Sequence, residues 1–271
     1  MTALAPADKA GMMSLQLELT ILAGVLGAVL GSGVTALAHR VPRNVSWLTG
    51  RSACTSCGRT LAAIDLVPVL SFAFSRGRCR QCGARIAWRY PITELWCAAW
   101  AVLLFRQIGP APTYPFLLLW GCLLVALTWI DLDFKLLPDV LTFTGTLLGL
   151  AATLMLPHGA HRALLGLLIG SGALWLVGWL YKRVRGVEGM GFGDVKLAAM
   201  FGVVLGGPLT FLTMMLAALA GSIWGAALIL RGRGSGRTEL PFGTLLAPAA
   251  MITFLVGERL VNFYLTLMHR G

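Results

Sequence analysis

The chain has only eleven acidic residues, and five of them fall in two short stretches. The first stretch is Asp131-Leu132-Asp133-Phe134-Lys135-Leu136-Leu137-Pro138-Asp139. The second is Glu188-Gly189-Met190-Gly191-Phe192-Gly193-Asp194-Val195-Lys196. Two carboxylates brought from distant positions onto one water hold a single proton between them when partly desolvated. One then takes a proton from the water while the other donates one, which is acid–base chemistry able to hydrolyse an amide. Gly191 and Gly193 lack side chains beside Asp194, so a facing backbone can approach it closely. Each acid also has a plainer use: Asp194 as the N-cap of a helix, Asp133 and Asp139 as solvated helix-end charges.

Cysteines supply the second chemistry. Cys54-Thr55-Ser56-Cys57 and Cys79-Arg80-Gln81-Cys82 are two CxxC pairs. Two residues between thiolates let both sulfurs face one ion, and two such pairs complete a tetrahedral Cys₄ site. Gly58 and Gly83 directly follow the two pairs, where the turn calls for positive φ. Reduced thiols or two disulfides are the alternatives. The expected ion is a structural Zn²⁺, because a polar insert of this size has too little apolar mass to fold without one. Cys97 and Cys122 lie in apolar stretches and are expected to be buried and inert.

These groups must be held by membrane helices. Hydrophobic residues make up 57% of the 271 residues and charged residues 12%, with mean hydropathy +0.79. Soluble domains carry about 25% charged residues, so a soluble enzyme, a disordered chain and a disulfide-rich module are excluded. Apolar runs near 15–38, 91–108, 113–131, 136–156, 161–181, 194–207, 209–230 and 242–265 read as about eight transmembrane helices. Gly206, Gly207 and Pro208 break the sixth from the seventh. The predicted fold is an all-α polytopic membrane protein. It divides into residues 1–38 (tail and first transmembrane helix), 39–90 (Cys₄ zinc-binding insert) and 91–271 (transmembrane core). No cleavable signal is expected, since only Lys9 is basic in the first 14 residues and no small-residue cleavage pattern follows.

The formal charge of +11 is explained by one-sided loops rather than by a nucleic-acid partner. With eight crossings, all 22 Lys and Arg except Lys9, Arg106, Arg162, Arg259 and Arg270 fall on one side. The positive-inside rule makes that side cytoplasmic, together with the insert and both acidic stretches.

Several motifs now stand in one order: GSGVTALAHRVP at 31–42, SACTSC at 52–57, DLVPVLSFAFSRGRCRQCGARIAWRYPITEL at 65–95, IDLDFKLLPD at 130–139 and EGMGFGDVKL at 188–197. Together they resemble the prepilin leader peptidase/N-methyltransferase family of GxGD-type aspartic peptidases, over roughly residues 27–200. The resemblance implies a bacterial inner-membrane enzyme of type IV pili and type II secretion. Such an enzyme cuts the basic leader of prepilin or pseudopilin precursors after Gly at the cytoplasmic face, then methylates the new N-terminus with S-adenosylmethionine. It implies Asp131 and Asp194 as the catalytic pair, Asp131 by its spacing to Pro138, and Cys54, Cys57, Cys79 and Cys82 as metal ligands. Gly191, Gly193 and Lys196 stand beside Asp194, while Glu94 and Glu188 are candidates for contact with the leader or the methyl donor. An ion pair with an arginine is the alternative for each glutamate.

The chain departs from the family pattern at Gly33 for Phe, Thr35 for Asn and Thr55 for Pro. These departures lie in the N-terminal part, associated with methylation, so a peptidase without methyltransferase activity is the first alternative. A transporter or a zinc-bearing membrane scaffold is the non-enzymatic one.

Overall fold

A computed structural model describes residues 6–46, 50–187, 191–232 and 240–268, with side chains from residue 13 onward. Helices account for nearly all of it: α1 (Pro6–Arg40), α2 (Leu70–Phe74), α3 (Arg89–Ile108), α4 (Tyr114–Phe134), α5 (Asp139–Leu154), α6 (Gly159–Leu167), α7 (Ala173–Arg185), α8 (Phe192–Leu205), α9 (Gly207–Leu230) and α10 (Gly243–Met268). A π-helical turn, Leu168–Gly172, fuses α6 and α7. Among the described residues no strand forms, and only two isolated bridges occur. Each apolar run read from the sequence coincides with one helix or, for 161–181, with the fused pair. Five helical stretches are long and apolar enough to cross a membrane: Met13–Arg43, Tyr114–Phe134, Gly159–Arg185, Gly207–Leu230 and Gly243–Met268.

Helices surrounded by lipid tails gain little from apolar burial, so close van der Waals approach must hold them together. Small residues supply it here. On α1, Gly27 faces Cys97 and Ala101, and a Cβ on Gly31 would stand 2.7 Å from Glu94 Cα. Gly166 of α6 and Gly202 of α8 meet backbone to backbone, with no room for a methyl group on either. Gly121 of α4 makes room for the Trp100 indole.

At the centre, Trp100, Trp120, Leu124, Leu127, Met200 and Phe201 are almost wholly buried. Both indoles satisfy their donors: Trp100 Nε1 donates to Leu117 O at 3.2 Å and Trp120 Nε1 to Met200 O at 3.0 Å. Phe254 of α10 packs against both rings, 5.5 and 6.1 Å between centroids. α8 is thereby enclosed by α5, α6 and α10. It ends where the Gly-Gly-Pro break was expected: Gly206 has φ 76° and α9 begins at Gly207 with Pro208 in its first turn.

The insert between α1 and α3 is built from turns around the short helix α2. Each CxxC pair closes a tight loop, with Gly58 N donating to Cys54 O and Gly83 N to Cys79 O, both at 2.9 Å. Gly58 (φ 71°) and Gly83 (φ 70°) take the predicted left-handed conformation. The insert docks on the start of α3 through Phe72 and Trp88, whose rings lie 4.9 Å apart.

Candidate active site and metal centre

Asp131 lies in the last turn of α4. That helix stops at Lys135, which takes a left-handed conformation and returns its N–H to Asp131 O at 2.9 Å. Leu136 and Leu137 then lead to Pro138, which caps α5. The Asp131 side chain is only 5% exposed. Its Oδ2 accepts two hydrogen bonds from the start of α10: Thr244 N at 2.6 Å and Thr244 Oγ1 at 3.0 Å.

Asp194 sits in the first turn of α8. The N-cap is Gly191, and no side chain caps the helix, so Asp194 is not an N-cap. It is half-buried, and its carboxyl lies within electrostatic range of Asp131. Leu137 joins the two neighbourhoods. A Cβ on Gly193 would stand 3.1 Å from Leu137 Cβ, and a Cβ on Gly243 would stand 3.1 Å from Leu137 Cδ1 and 3.0 Å from Asp131 Oδ2. The ends of α4 and α8 are thus drawn together over small residues. Among the described residues no hydrogen bond reaches the Asp194 carboxyl.

The remaining acids have partners. Asp133 takes a two-pronged bond from Arg89, with Nη2 to Oδ1 at 2.6 Å, and the Arg89 guanidinium lies over the Trp129 ring. Asp139 accepts from Lys196 Nζ at 2.6 Å, tying the first turn of α5 to that of α8. Lys196 is therefore held by an ion pair two residues beyond Asp194. Glu94, 8% exposed, has no arginine partner among the described residues. Its Oε2 accepts the Val69 N–H at 2.7 Å, at a residue with φ 61°. Such a backbone is rare for a β-branched side chain. Glu94 thus fastens the insert to α3. Glu188 lies outside the described residues.

The four sulfurs of Cys54, Cys57, Cys79 and Cys82 lie within 4.8 Å of one another. Cys54 Sγ and Cys82 Sγ are 3.8 Å apart, far beyond a disulfide at about 2.05 Å. Four thiolates about 2.3 Å from a tetrahedral ion stand about 3.8 Å apart, so the cluster fits a metal ion. Hydrogen bonds from the Cys57 and Ser56 backbones hold the Cys54 thiol down at about 6, which favours the thiolate that a metal needs. Cys79 is lowered in the same way by the Cys82 and Gln81 backbones. Cys97 and Cys122 are buried in the bundle, as expected.

Thr244, Gly243 and Leu137 were not singled out from the sequence. One signal was available: Pro241-Phe242-Gly243-Thr244 precedes the last apolar run and marks a helix start. A separate cavity of about 150 Å³, lined in part by Gln107, Thr153, Arg162 and Glu258, opens at the opposite end of the bundle from both carboxylates.

Comparison with known proteins matches residues 25–108 to the bacterial peptidase A24 N-terminal domain and residues 117–226 to the type IV leader peptidase family. A relative from Aeromonas salmonicida (strain A449), named prepilin leader peptidase/N-methyltransferase, is 38% identical over 80% of this chain and 75% of its own length. One of the same name from Pseudomonas aeruginosa is 36% identical over 89% of this chain and 91% of its own. Another from Stutzerimonas stutzeri is 33% identical over 92% and 94%. No solved structure matches the chain. A helical membrane bundle, a four-cysteine insert and this degree of identity over most of the length place the chain in the type IV leader peptidase family.

Proposed function

We propose that the chain is a bifunctional prepilin peptidase, cutting the basic leader from type IV prepilin or pseudopilin precursors and N-methylating the new terminus. One observation carries the peptidase reading. Asp131 is held almost fully buried at the end of α4, within electrostatic range of Asp194 at the start of α8. In the reaction, one carboxylate takes a proton from a water whose oxygen attacks the scissile carbonyl carbon. The other carboxyl protonates the carbonyl oxygen, and a returned proton lets the amine leave as the C–N bond breaks. The methyl group comes from S-adenosylmethionine, as the relatives' name N-methyltransferase implies.

Zn²⁺ in the Cys₄ cluster has a structural role here, closing an insert that is otherwise turns and the five-residue α2. We divide the chain as residues 1–38, 39–90 and 91–271: first transmembrane helix, zinc-binding insert and peptidase core. We take α3, α5 and α8 as three further crossings, giving eight. The ends of α4, α7 and α9 and the starts of α3, α5, α8 and α10 then share the cytoplasmic side of the bacterial inner membrane. That side holds both aspartates, Lys182, Arg183, Arg185 and Arg231.

The test is incubation of the purified protein with a synthetic prepilin, with and without S-adenosylmethionine, followed by mass analysis. Wild type yields a shortened, methylated product. Asp131→Asn and Asp194→Asn fold, retain metal, and lose at least about a thousandfold in cleavage rate, on the scale of losing a member of a catalytic pair. Full processing by either variant overturns the assignment. A cleaved but unmethylated product identifies a peptidase alone. The transporter alternative is disfavoured because transport paths place charge near mid-bilayer, and these acids gather at one end.

A further inference from the structure

Asp131 is held from an unexpected quarter. α10 begins more than a hundred residues later in the chain, beyond the segment matched to the peptidase family, residues 117–226. Its second residue, Thr244, directs both of its donors at one oxygen, Asp131 Oδ2. The N–H is one of the first-turn donors that have no acceptor inside their own helix. Phe242 O takes the N–H groups of Leu245 and Leu246 instead. Thr244 Oγ1 also lies 3.4 Å from Thr128 O, one turn before Asp131 on α4. Gly243 makes this approach possible, since a Cβ there would stand 3.0 Å from Asp131 Oδ2 and 3.1 Å from Asp131 Cγ.

An aspartate carboxyl turns easily about its last torsion. A single donor would leave it a choice of oxygens. Two donors from one residue, converging on the same oxygen, remove that choice, and such bonds are strongest to an ionised group. The other oxygen, Oδ1, receives no hydrogen bond among the described residues.

We infer that Thr244 is a positioning residue for the hydrolysis: it fixes the Asp131 carboxylate through Oδ2 and leaves Oδ1 to take the proton of the attacking water. The inference rests on the reading of Asp131 as one of the catalytic pair. It makes the start of α10 part of the machinery, although α10 contributes no group that touches the reacting atoms. A carboxylate set in place before substrate arrives speeds the chemical step rather than binding. Loss of the hydroxyl therefore affects kcat and leaves KM nearly alone.

The experiment compares Thr244→Val with Thr244→Ser in the full chain, using a synthetic prepilin in detergent. Val keeps the shape and the backbone donor but loses the hydroxyl, while Ser keeps both donors. The expected result is a fall in kcat of about tenfold for Thr244→Val with KM within about twofold, the size of losing one hydrogen bond to a charged group. Thr244→Ser recovers most of that loss. Metal content and the thermal midpoint report folding. If the Val variant does not fold, Thr244→Ala against Thr244→Ser makes the same comparison. A Val variant with wild-type kcat, or a loss that Ser does not restore, overturns the inference. Asp131→Asn run alongside separates the two readings. If it is inactive while Thr244→Val is normal, only the role of Thr244 falls. If it is active, the catalytic assignment itself falls.

Discussion

Cys54 illustrates how a single residue is prepared for its task by the backbone around it. Its thiol accepts from the Cys57 and Ser56 backbones and is lowered to about 6, which favours the thiolate form that binds a metal. The four cysteine sulfurs, all within 4.8 Å of one another, predict about one Zn²⁺ per purified chain. Cys54→Ser leaves three ligands and lowers the metal content, measured by elemental analysis, to well under half. Metal-free wild type that still cleaves its substrate would remove zinc from the account. These cysteines were legible in the sequence because spacing alone carries the geometry of a CxxC turn, and Gly58 and Gly83 marked where it needs positive φ. Glu94 was not legible. Its partner is a backbone N–H on a positive-φ Val69, and neither feature leaves a trace in residue type. Thr244 was hidden for a related reason: nothing near residue 244 says which distant helix end it will face.

Helices were the most legible elements, since each apolar run became a helix and the Gly206-Gly207-Pro208 break fell where expected. What hydropathy could not give is how the ends of those helices are fastened. α5 and α8 are joined at their first turns by Asp139 and Lys196, 2.6 Å apart, two residues beyond Asp194. The pair is partly exposed, so its direct contribution to stability is small, about 0–1 kcal/mol. Its effect is on placement, because Gly193 in the same turn of α8 must seat on Leu137. Reversing one charge opposes two like charges at this junction. Lys196→Asp or Asp139→Lys alone therefore lowers the cleavage rate about tenfold. The double exchange restores attraction across the same gap and recovers most of the rate. Equal defects in the single and double variants would show that the two residues act separately. Sequence reading had grouped Lys196 with the catalytic stretch by proximity, and its role at the helix junction emerges only once α5 is beside it.

At the scale of the whole molecule, α8 decides the topology. With 14 residues it is about 21 Å long, short of a hydrocarbon core of about 30 Å. A lipid-facing helix of that length would not cross without distortion. α8 does not face lipid along its core: Leu197, Ala198, Met200 and Phe201 are buried against α5, α6 and α10. Its far end is also met by a cation, with Arg162 donating to Leu205 O at 3.4 Å and lying 3.7 Å from Glu258 of α10. A positive group suits the C-terminal pole of a helix. In the proposed eight-span arrangement, protein supplies what the short length lacks, and the chain emerges at Gly206 on the side opposite Asp194. Crossing by α8 returns α9 to the side of the four cysteines, and the basic loop containing Arg231 with it, in keeping with the positive-inside rule. Without that crossing, the loop after α9 would lie outside. A fused reporter that matures only in an oxidising compartment distinguishes the two arrangements. Fusions after Pro157 are expected to be active, and those after Gly186 and after Arg231 inactive. Activity after Arg231 would show that α8 stays on one side, and would move the start of α10, with Thr244, away from the face on which Asp131 must meet its substrate.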